Sequence, residues 1–195
     1  MRPTRRADTM EQNRNRLISA ARKAFAEKGF AASSMDDLTA AAGLTRGALY
    51  HNFGDKKGLL AAVIDQLDTE MVSRAKAAGA AAATDWDRLL AEGRAYIEMA
   101  LDPEVQRIVL RDGPAFLGDP SQWPGQNACL QETILAVKKM LADHSLKPVD
   151  AEAAARLING AAMNAALWVA ASEEASLTLP KALAAFELLL SGLCR

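Results

Sequence analysis

The sequence predicts an all-α protein of about nine helices, and three observations lead to that prediction. Half of the 195 residues are hydrophobic, only 5% are aromatic, and alanine supplies much of the apolar content. Alanine-rich segments favour helix. Apolar residues recur at helical spacing, and no run of alternating β-branched residues is long enough to predict a strand.

The stretch over residues 35–57, MDDLTAAAGLTRGALYHNFGDKK, predicts two short helices joined by a glycine turn and followed by the capped start of a third. Ser34 is the expected N-cap of the first helix, with Asp37 as its reciprocal partner. Gly43 suits the left-handed residue that commonly ends a helix. Together these signals predict a helix–turn–helix, which is the unit that docks into the major groove of DNA.

The second short helix is predicted to have one buried face and one face for DNA. Thr45 is its expected cap, and Leu49 and Phe53 lie four residues apart on the buried side. The other side carries donors and acceptors of the kind that contact base edges and phosphates. Those residues are Thr45, Arg46, Tyr50, His51 and Asn52.

With the preceding ISAARKAFAEKGF, this segment resembles the DNA-binding domain of the TetR family of transcriptional regulators over about Leu17 to Leu60. The residues that are usual in the family and present here are Gly29, Phe30, Gly43, Leu49, Tyr50, Phe53 and Lys56. The chain departs at Thr39, where alanine is common, and at Asn52, which bears on operator preference. The predicted DNA-contacting set is Ser34, Thr45, Arg46, Gly47, Tyr50, His51, Asn52 and Lys56. The resemblance also implies an effector site inside the C-terminal body.

Three segments are expected along the chain. Residues 1–10 form a flexible basic arm, residues 11–57 the helix–turn–helix domain, and residues 58–195 an effector-binding and dimerisation domain. The arm either contacts phosphates and the minor groove or is a disordered tail. Its arginines are Arg2, Arg5 and Arg6.

Asp55 is expected to cap the long helix that follows, so that Lys56 and Lys57 fall in its first turn. Lysines there oppose the helix dipole, and a nearby phosphate would relieve that cost. The alternative is that both lysines are solvated. The family resemblance favours a phosphate contact for Lys56. The helix, predicted from Gly58 to about Ala78, links the DNA-binding domain to the body.

Residues 112–125, DGPAFLGDPSQWPG, are predicted to be the one long irregular stretch of the body. Apolar side chains on such a loop indicate the wall or lid of a cavity, and the alternative is a packed loop that covers the core. Arg111 with Asp112 would bind a polar group of a ligand or form a structural ion pair. On the family resemblance, which implies an effector site in the body, the effector-binding set is expected to be Tyr96, Met99, Arg111, Phe116, Trp123, Met163 and Trp168, and the alternative for these residues is plain core.

The last two helices, predicted from about Pro148 to Ser172 and from Pro180 onward, are apolar on nearly every side. Together the two helices carry more apolar surface than a single chain of this size can bury. This predicts a twofold homodimer in which the two pairs form a four-helix bundle. The predicted interface residues are Leu157, Ala161, Leu167, Leu183, Phe186, Leu189 and Leu190.

Charge divides the chain unevenly. Residues 1–60 carry 11 Lys and Arg against 6 Asp and Glu, although the net charge of the whole chain is −1. A basic head on an acidic body fits a protein that offers one end to a polyanion.

Several functional classes lack support in the sequence. There is no Gly-rich phosphate loop, nucleophile elbow or metal-ligand spacing, and two cysteines and two histidines are too few for a metal cluster. We therefore expect no enzymatic activity, no cofactor and no metal. No secretory segment or apolar run of transmembrane length appears, so a cytoplasmic protein without a membrane partner is expected.

The sequence favours a dimeric DNA-binding transcriptional regulator. Our leading hypothesis is a repressor of near-palindromic double-stranded operator DNA that a small, largely apolar effector releases. One alternative is an architectural DNA-binding factor without an effector, against which the large apolar body argues. The other is an enzyme with an unrelated helical fold, which a turnover assay would test.

Overall fold

The computed structural model describes the backbone of residues 5–195 and the side chains of residues 9–195. That part of the chain is helical, and its β pairing is limited to one isolated bridge between Leu146 and Cys194. The α-helices are α1 Arg5–Lys28, α2 Met35–Ala41, α3 Arg46–Phe53, α4 Lys56–Gly79, α5 Asp85–Glu98, α6 Gly113–Leu117, α7 Pro124–Ala142, α8 Ala151–Ala171 and α9 Ala175–Ser191. The all-α prediction is confirmed.

Helices α2 to α4 begin at the predicted caps. The hydroxyl of Ser34 accepts a hydrogen bond from the Asp37 amide at 3.0 Å, and that of Thr45 accepts one from the Ala48 amide at 3.3 Å. The Asp55 carboxylate accepts one from the Gly58 amide at 2.7 Å. These bonds satisfy amides that a helix start leaves without a partner.

The turn between α2 and α3 depends on Gly43. Its φ is 61°, a left-handed conformation in which a side chain is strained. The amide of Leu44 then bonds back to the Thr39 carbonyl at 2.9 Å. The predicted helix–turn–helix is therefore present at the predicted residues.

Two helix starts differ from the prediction. Helix α1 begins at Arg5 rather than Glu11, because the preceding residues contain helix formers and no breaker. The Arg2 part of the predicted arm lies outside the described residues, as do the side chains of Arg5 and Arg6. Helix α9 begins at Ala175 and contains Pro180.

The predicted loop over residues 112–125 is helical in its first part. A π-helical segment, Val105–Asp112, continues directly into α6, and a 3₁₀ turn, Pro120–Gln122, precedes α7. The irregular backbone is therefore shorter than predicted. Glycine and proline lower helix propensity, but this region packs against α4 and α1, and the Phe116 ring packs on that of Phe30, and these contacts hold it in a helix.

Helices α1–α3, which we call the reader, pack on the first half of α4. Leu17, Phe25, Leu38, Leu49 and Leu59 are all fully buried there. Helices α5–α9, which we call the body, form the rest of the described α-helices, and α5, α6 and α7 pack directly on α4. Because α4 starts at Lys56, it runs unbroken through the predicted domain boundary at residue 58, and its buried side chains belong to one hydrophobic core with those of the reader and the body.

Candidate nucleic-acid interface and internal cavity

Helix α3 presents a polar face to solvent. Thr45, Arg46, Gly47, Tyr50 and His51 are all exposed, as is Ser34 at the start of α2. The buried side is Leu49, which is fully enclosed. This is the division between a buried and an exposed side that the helix spacing predicts, and it leaves the predicted base-contacting side chains free of the core.

Arg46 is paired within the reader. Its guanidinium donates two hydrogen bonds to the carboxylate of Asp36 on α2, and both side chains are exposed. The hydrogen bond from Arg46 lowers the pKa of Asp36 below its ordinary value. Exposed ion pairs contribute little to stability, so DNA can replace Asp36 as the partner of Arg46.

Two further residues of the predicted DNA-contacting set, Asn52 and Lys56, bond within the protein. The amide of Asn52 donates to the Ala48 carbonyl at 2.7 Å. The ammonium of Lys56 donates to the carbonyls of Phe30 and Ser33, each at 2.8 Å. These bonds leave Lys56 one donor, so its phosphate contact stays a prediction, and its role in holding the turn before α2 was missed.

Helix α1 adds two cations near α3 that the sequence analysis did not select. The guanidinium of Arg16 lies beside Gly43, where an added Cβ would stand 2.7 Å from it. Arg14 lies over the ring of Phe53, 5.4 Å from its centroid. No local pattern distinguishes these arginines from other surface charges on α1, because their position depends on how α1 packs.

A cavity of about 470 Å³ lies in the body between α4, α5, α7, α8 and α9. Its wall combines apolar side chains with charged and amide groups. The lining residues are Asp68, Val72, Ala75, Lys76, Arg88, Leu89, Glu92, Gly93, Tyr96, Gln126, Cys129, Glu132, Thr133, Ala136, Ile158, Asn159, Ala162 and Phe186. Of the predicted effector-binding set, only Tyr96 is among them, so the other six positions were wrong for this cavity.

The aromatic residues of the predicted lid pack elsewhere. The ring of Phe116 lies 4.5 Å from that of Phe30, centroid to centroid, at the junction of body and reader. Trp123 covers Gly113, where an added Cβ would stand 2.6 Å from its ring. Both act as packing residues, which is the alternative that the sequence left open.

The remaining predicted cavity residues also have other positions. Arg111 donates to the Ala170 carbonyl at 2.9 Å and so binds the end of α8. It is not paired with Asp112 in the described part of the chain, so the structural ion pair is wrong as well. Met99 is buried in the core, Met163 is half-buried on α8, and Trp168 is half-exposed on the outer side of α8.

Contacts from the body hold the junction between α1 and α2. The carboxylate of Asp112 accepts a hydrogen bond from the Phe30 amide at 2.7 Å. The guanidinium of Arg107 donates to the Lys28 carbonyl at 2.8 Å. Arg22 on α1 bridges Glu104 at 2.7 Å and Glu70 at 2.6 Å. The reader is therefore connected to the body by the π-helical segment as well as by α4.

Burial changes the chemistry of the groups on the cavity wall. It raises the pKa of Asp68 and of Glu92 above their ordinary values. Burial, followed by the nearby Asp68 carboxylate, raises the pKa of the Tyr96 phenol and brings that of the Cys129 thiol to about 11. Tyr96 and Cys129 are thus neutral at physiological pH, and a thiol in this state is a poor nucleophile.

The last two helices leave an apolar surface open. Leu157 is 75% exposed on α8, Leu189 is 66% exposed on α9, and Leu188 and Trp168 lie exposed beside them. Ala161 and Leu167 are half-buried. Three predicted interface residues, Leu183, Phe186 and Leu190, are instead buried within the chain. They were wrong because α9 uses that side to pack on α5 and α8.

The described residues contain neither a candidate metal site nor a membrane-spanning helix. Among them, no three His, Cys, Asp or Glu side chains are grouped closely enough to hold a metal ion. None of the helices has the length and apolar character needed to cross a membrane.

An exposed polar α3 on a capped helix–turn–helix, joined to a helical body with a partly open cavity, is typical of DNA-binding regulators. The family description "Bacterial regulatory proteins, tetR family" matches residues 17–63. The description "Tetracyclin repressor-like, C-terminal domain" matches residues 86–193. The chain belongs to the TetR family and is a helix–turn–helix transcriptional regulator.

Individual relatives agree with this assignment. The chain is similar to a crystal structure of a TetR-family transcriptional regulator from Pectobacterium atrosepticum, with 47% identity, 98% of each chain covered and a TM-score of 0.87. It is 28% identical to the Transposon Tn10 TetC protein of Escherichia coli, over 77% of each chain. The repressor AcnR of Corynebacterium glutamicum is 38% identical over 56 residues, which are 29% of this chain and 30% of AcnR.

Proposed function

We propose that the protein is a homodimeric repressor that binds a near-palindromic operator through α3 and leaves it when a small molecule enters the cavity. The cavity of about 470 Å³, enclosed partly by α4, carries this proposal. Repression agrees with the description of AcnR as a repressor. Binding to operator DNA also agrees with the cytoplasmic location predicted from the sequence.

The dimer is supported by the apolar surface of α8 and α9. Leu157, Leu188 and Leu189 are exposed there, and a Cβ added at Gly160 would meet nothing within 4 Å. Exposed apolar groups of this size on one face favour burial against a second copy. A twofold axis through this face would pair α8 and α9 with their mates as a four-helix bundle.

The operator contacts follow from the exposed face of α3. We assign base contacts to Thr45, Arg46 and His51, and phosphate contacts to Tyr50 and to the remaining donor of Lys56. Phosphate contacts position the reader and carry little sequence information. Two recognition helices of a dimer then need a separation of roughly 34–36 Å, or a multiple, to enter successive major grooves on one side of DNA.

Release by an effector requires that the ligand favour one spacing of the readers over another. Helix α4 contributes Asp68, Val72, Ala75 and Lys76 to the cavity wall and packs on the reader at its other end. It spans roughly 36 Å at about 1.5 Å per residue, so a small tilt at the cavity moves the reader by several ångström. The contacts of Arg107 and Asp112 with the end of α1 transmit the same movement.

Operator selection from a random duplex library with the full chain tests this function. We expect the selected duplexes to share two inverted half-sites, and sedimentation to give a mass near twice 20.8 kDa. Selected duplexes without inverted symmetry, or a single 20.8 kDa species at micromolar concentration, would contradict the proposal. If the protein is instead an architectural factor without an effector, compounds that bind in the cavity should leave its affinity for these duplexes unchanged.

A further inference from the structure

Asp68 on the cavity wall is buried without a cation. It is 8% exposed, and it is the only charged residue in the described part of the chain that is buried to this degree. Its Oδ1 accepts one long hydrogen bond, 3.4 Å from the Gln126 amide nitrogen. A buried carboxylate is costly unless it is paired or fully hydrogen-bonded, and one long hydrogen bond does not offset that cost.

The cations of the cavity wall are already paired. Lys76 binds Glu132 at 2.9 Å, and Arg88 binds Asp85, which lies outside the cavity lining. Three carboxylates line the cavity, and two of them, Asp68 and Glu92, have no ion-pair partner within the described residues. The wall therefore has negative charge available to a ligand and no free positive charge.

The start of α7 fixes the Asp68 carboxylate in place. A Cβ added at Gly125 would stand 1.8 Å from Oδ2, so the carboxylate lies directly against the backbone of the first turn of this helix. The N-terminal end of a helix favours a negative charge and opposes the effect of burial on Asp68. It supplies only a partial positive charge, which leaves room for a cationic ligand.

The rest of the cavity suits an apolar body. Val72, Ala75, Leu89, Ile158 and Phe186 line it, and its volume lies within the range of roughly 300–1,000 Å³ that is usual for small-molecule sites. Tyr96 lies close enough to Asp68 for the carboxylate to affect its phenol. An aromatic ring beside a carboxylate is a favourable environment for an ammonium group.

We infer that the ligand of this cavity is an organic cation, with an ammonium group bound by Asp68 and an apolar body held by α4, α5, α8 and α9. The inference rests on the proposed effector role of the cavity and narrows the chemical class of the effector. If Asp68 only stabilises the start of α7, the cavity should bind cationic and neutral ligands equally well.

The test compares three probes with one apolar body, namely phenylbutylammonium, phenylbutanol and phenylbutanoate, titrated into the full chain by calorimetry. We expect the ammonium to bind roughly tenfold or more tightly than the alcohol, the size of one charge-assisted hydrogen bond. The carboxylate should bind most weakly. Equal affinities of ammonium and alcohol, or no saturable binding of the ammonium at millimolar concentration, would overturn the inference.

Asp68→Asn should abolish the preference for the ammonium while leaving the affinity for the alcohol. The matched control is Asp65→Asn, which removes the same charge from an exposed position one turn earlier on α4 and should keep the preference. An Asp68→Asn protein that retains the full preference would exclude Asp68 as the binding group. If this variant does not fold, the ranking of the three probes on the unmodified chain decides.

Operator affinity, measured in parallel by fluorescence anisotropy, separates this inference from the proposed function. If the ammonium binds through Asp68 but operator affinity is unchanged, the ligand class stands and effector release is wrong. If phenylbutanol releases the operator and the ammonium does not bind, effector release stands and the cationic class is wrong.

Discussion

The reader and the body satisfy their polar groups in different ways. In the reader, the hydroxyl of Ser33 donates to the Gly29 carbonyl at 2.8 Å, and that of Thr39 donates to the Met35 carbonyl at 2.9 Å. In the body, Asp68 has one long hydrogen bond and Glu92 has no ion-pair partner in the described residues. The buried hydroxyls of the reader are paired within the reader, whereas the buried Asp68 carboxylate of the cavity has no cation beside it in the described residues.

This difference separates two kinds of function. A surface that docks on DNA keeps its core closed and places its donors on the outside, so that the same fold binds before and after release. A ligand site gains specificity from buried groups that pair only when the ligand is bound. Changes in the reader should therefore alter DNA affinity directly, and changes in the body should alter it through the dimer or the connection between them.

The largest effect is expected from Leu189→Asp on the outer face of α9. A charge there should disrupt the dimer, and operator affinity should fall by roughly a thousandfold or more, toward non-specific binding. Sedimentation and anisotropy measure the two effects. Leu135→Asp on α7 is the matched control, since both leucines are 66% exposed. If Leu189→Asp remains a dimer with normal operator affinity, the outer face of α9 is not the dimer interface.

The next effect concerns base reading by α3. Arg46→Ala should weaken binding by about 1–3 kcal/mol for operators that carry the base it contacts, and little for operators that lack it. Lys56→Ala should weaken all operators alike, and a decrease of about one in the salt slope would identify a phosphate contact. Anisotropy on a panel of single-base operator variants measures both. Equal losses across the panel for Arg46→Ala would count against base contact.

A smaller effect is expected at the connection between the two regions. Asp112→Ala removes the acceptor of the Phe30 amide, and a buried donor without a partner costs about 1–3 kcal/mol. The variant should bind phenylbutylammonium with normal affinity but lose part of its effect on operator binding. Asp119→Ala is the control because, among the described residues, the Asp119 carboxylate bonds to Ser121 within its own turn. If phenylbutylammonium changes the operator affinity of Asp112→Ala as much as that of the unmodified protein, the Asp112 contact is not needed and α4 alone connects the cavity to the reader.

The smallest effect is on stability. Because burial raises the pKa of Asp68, its ionisation disfavours the folded state above that pKa, and the loss is recovered as the pH falls through it. Asp68→Asn should therefore raise the melting temperature of the empty protein at neutral pH, and each ~1 kcal/mol of relieved cost corresponds to roughly 2–4 °C. The difference should shrink toward pH ~4. A constant difference at all pH values would show that the charge is not its cause.

The reader was predictable from the sequence because its determinants are local. Ser34, Thr45 and Asp55 act on amides three residues away, and Gly43 acts through its own backbone. Such signals are contained in a few consecutive residues. Lys56 was the exception, since its partners at Phe30 and Ser33 belong to the turn before α2.

The cavity was not predictable in the same way. Its wall is assembled from five helices, from Asp68 on α4 to Phe186 on α9. Bulky residues at helical spacing mark burial, but they do not distinguish a cavity wall from a packed core. Phe116 and Trp123 were therefore predicted as ligand contacts, although Phe116 packs on Phe30 and Trp123 packs on Gly113. Asp68 was not selected, because no local pattern distinguishes it from other carboxylates on helices.

The most direct test of release is the affinity of one ligand in the presence and absence of operator. Phenylbutylammonium is titrated by calorimetry into the free dimer and into the dimer saturated with its selected duplex. Linkage requires the duplex to weaken ammonium binding by the factor by which the ammonium weakens duplex binding. We expect a factor of about 5–150, the usual range of such coupling. Equal ammonium affinities in the two titrations would contradict release by a ligand in this cavity.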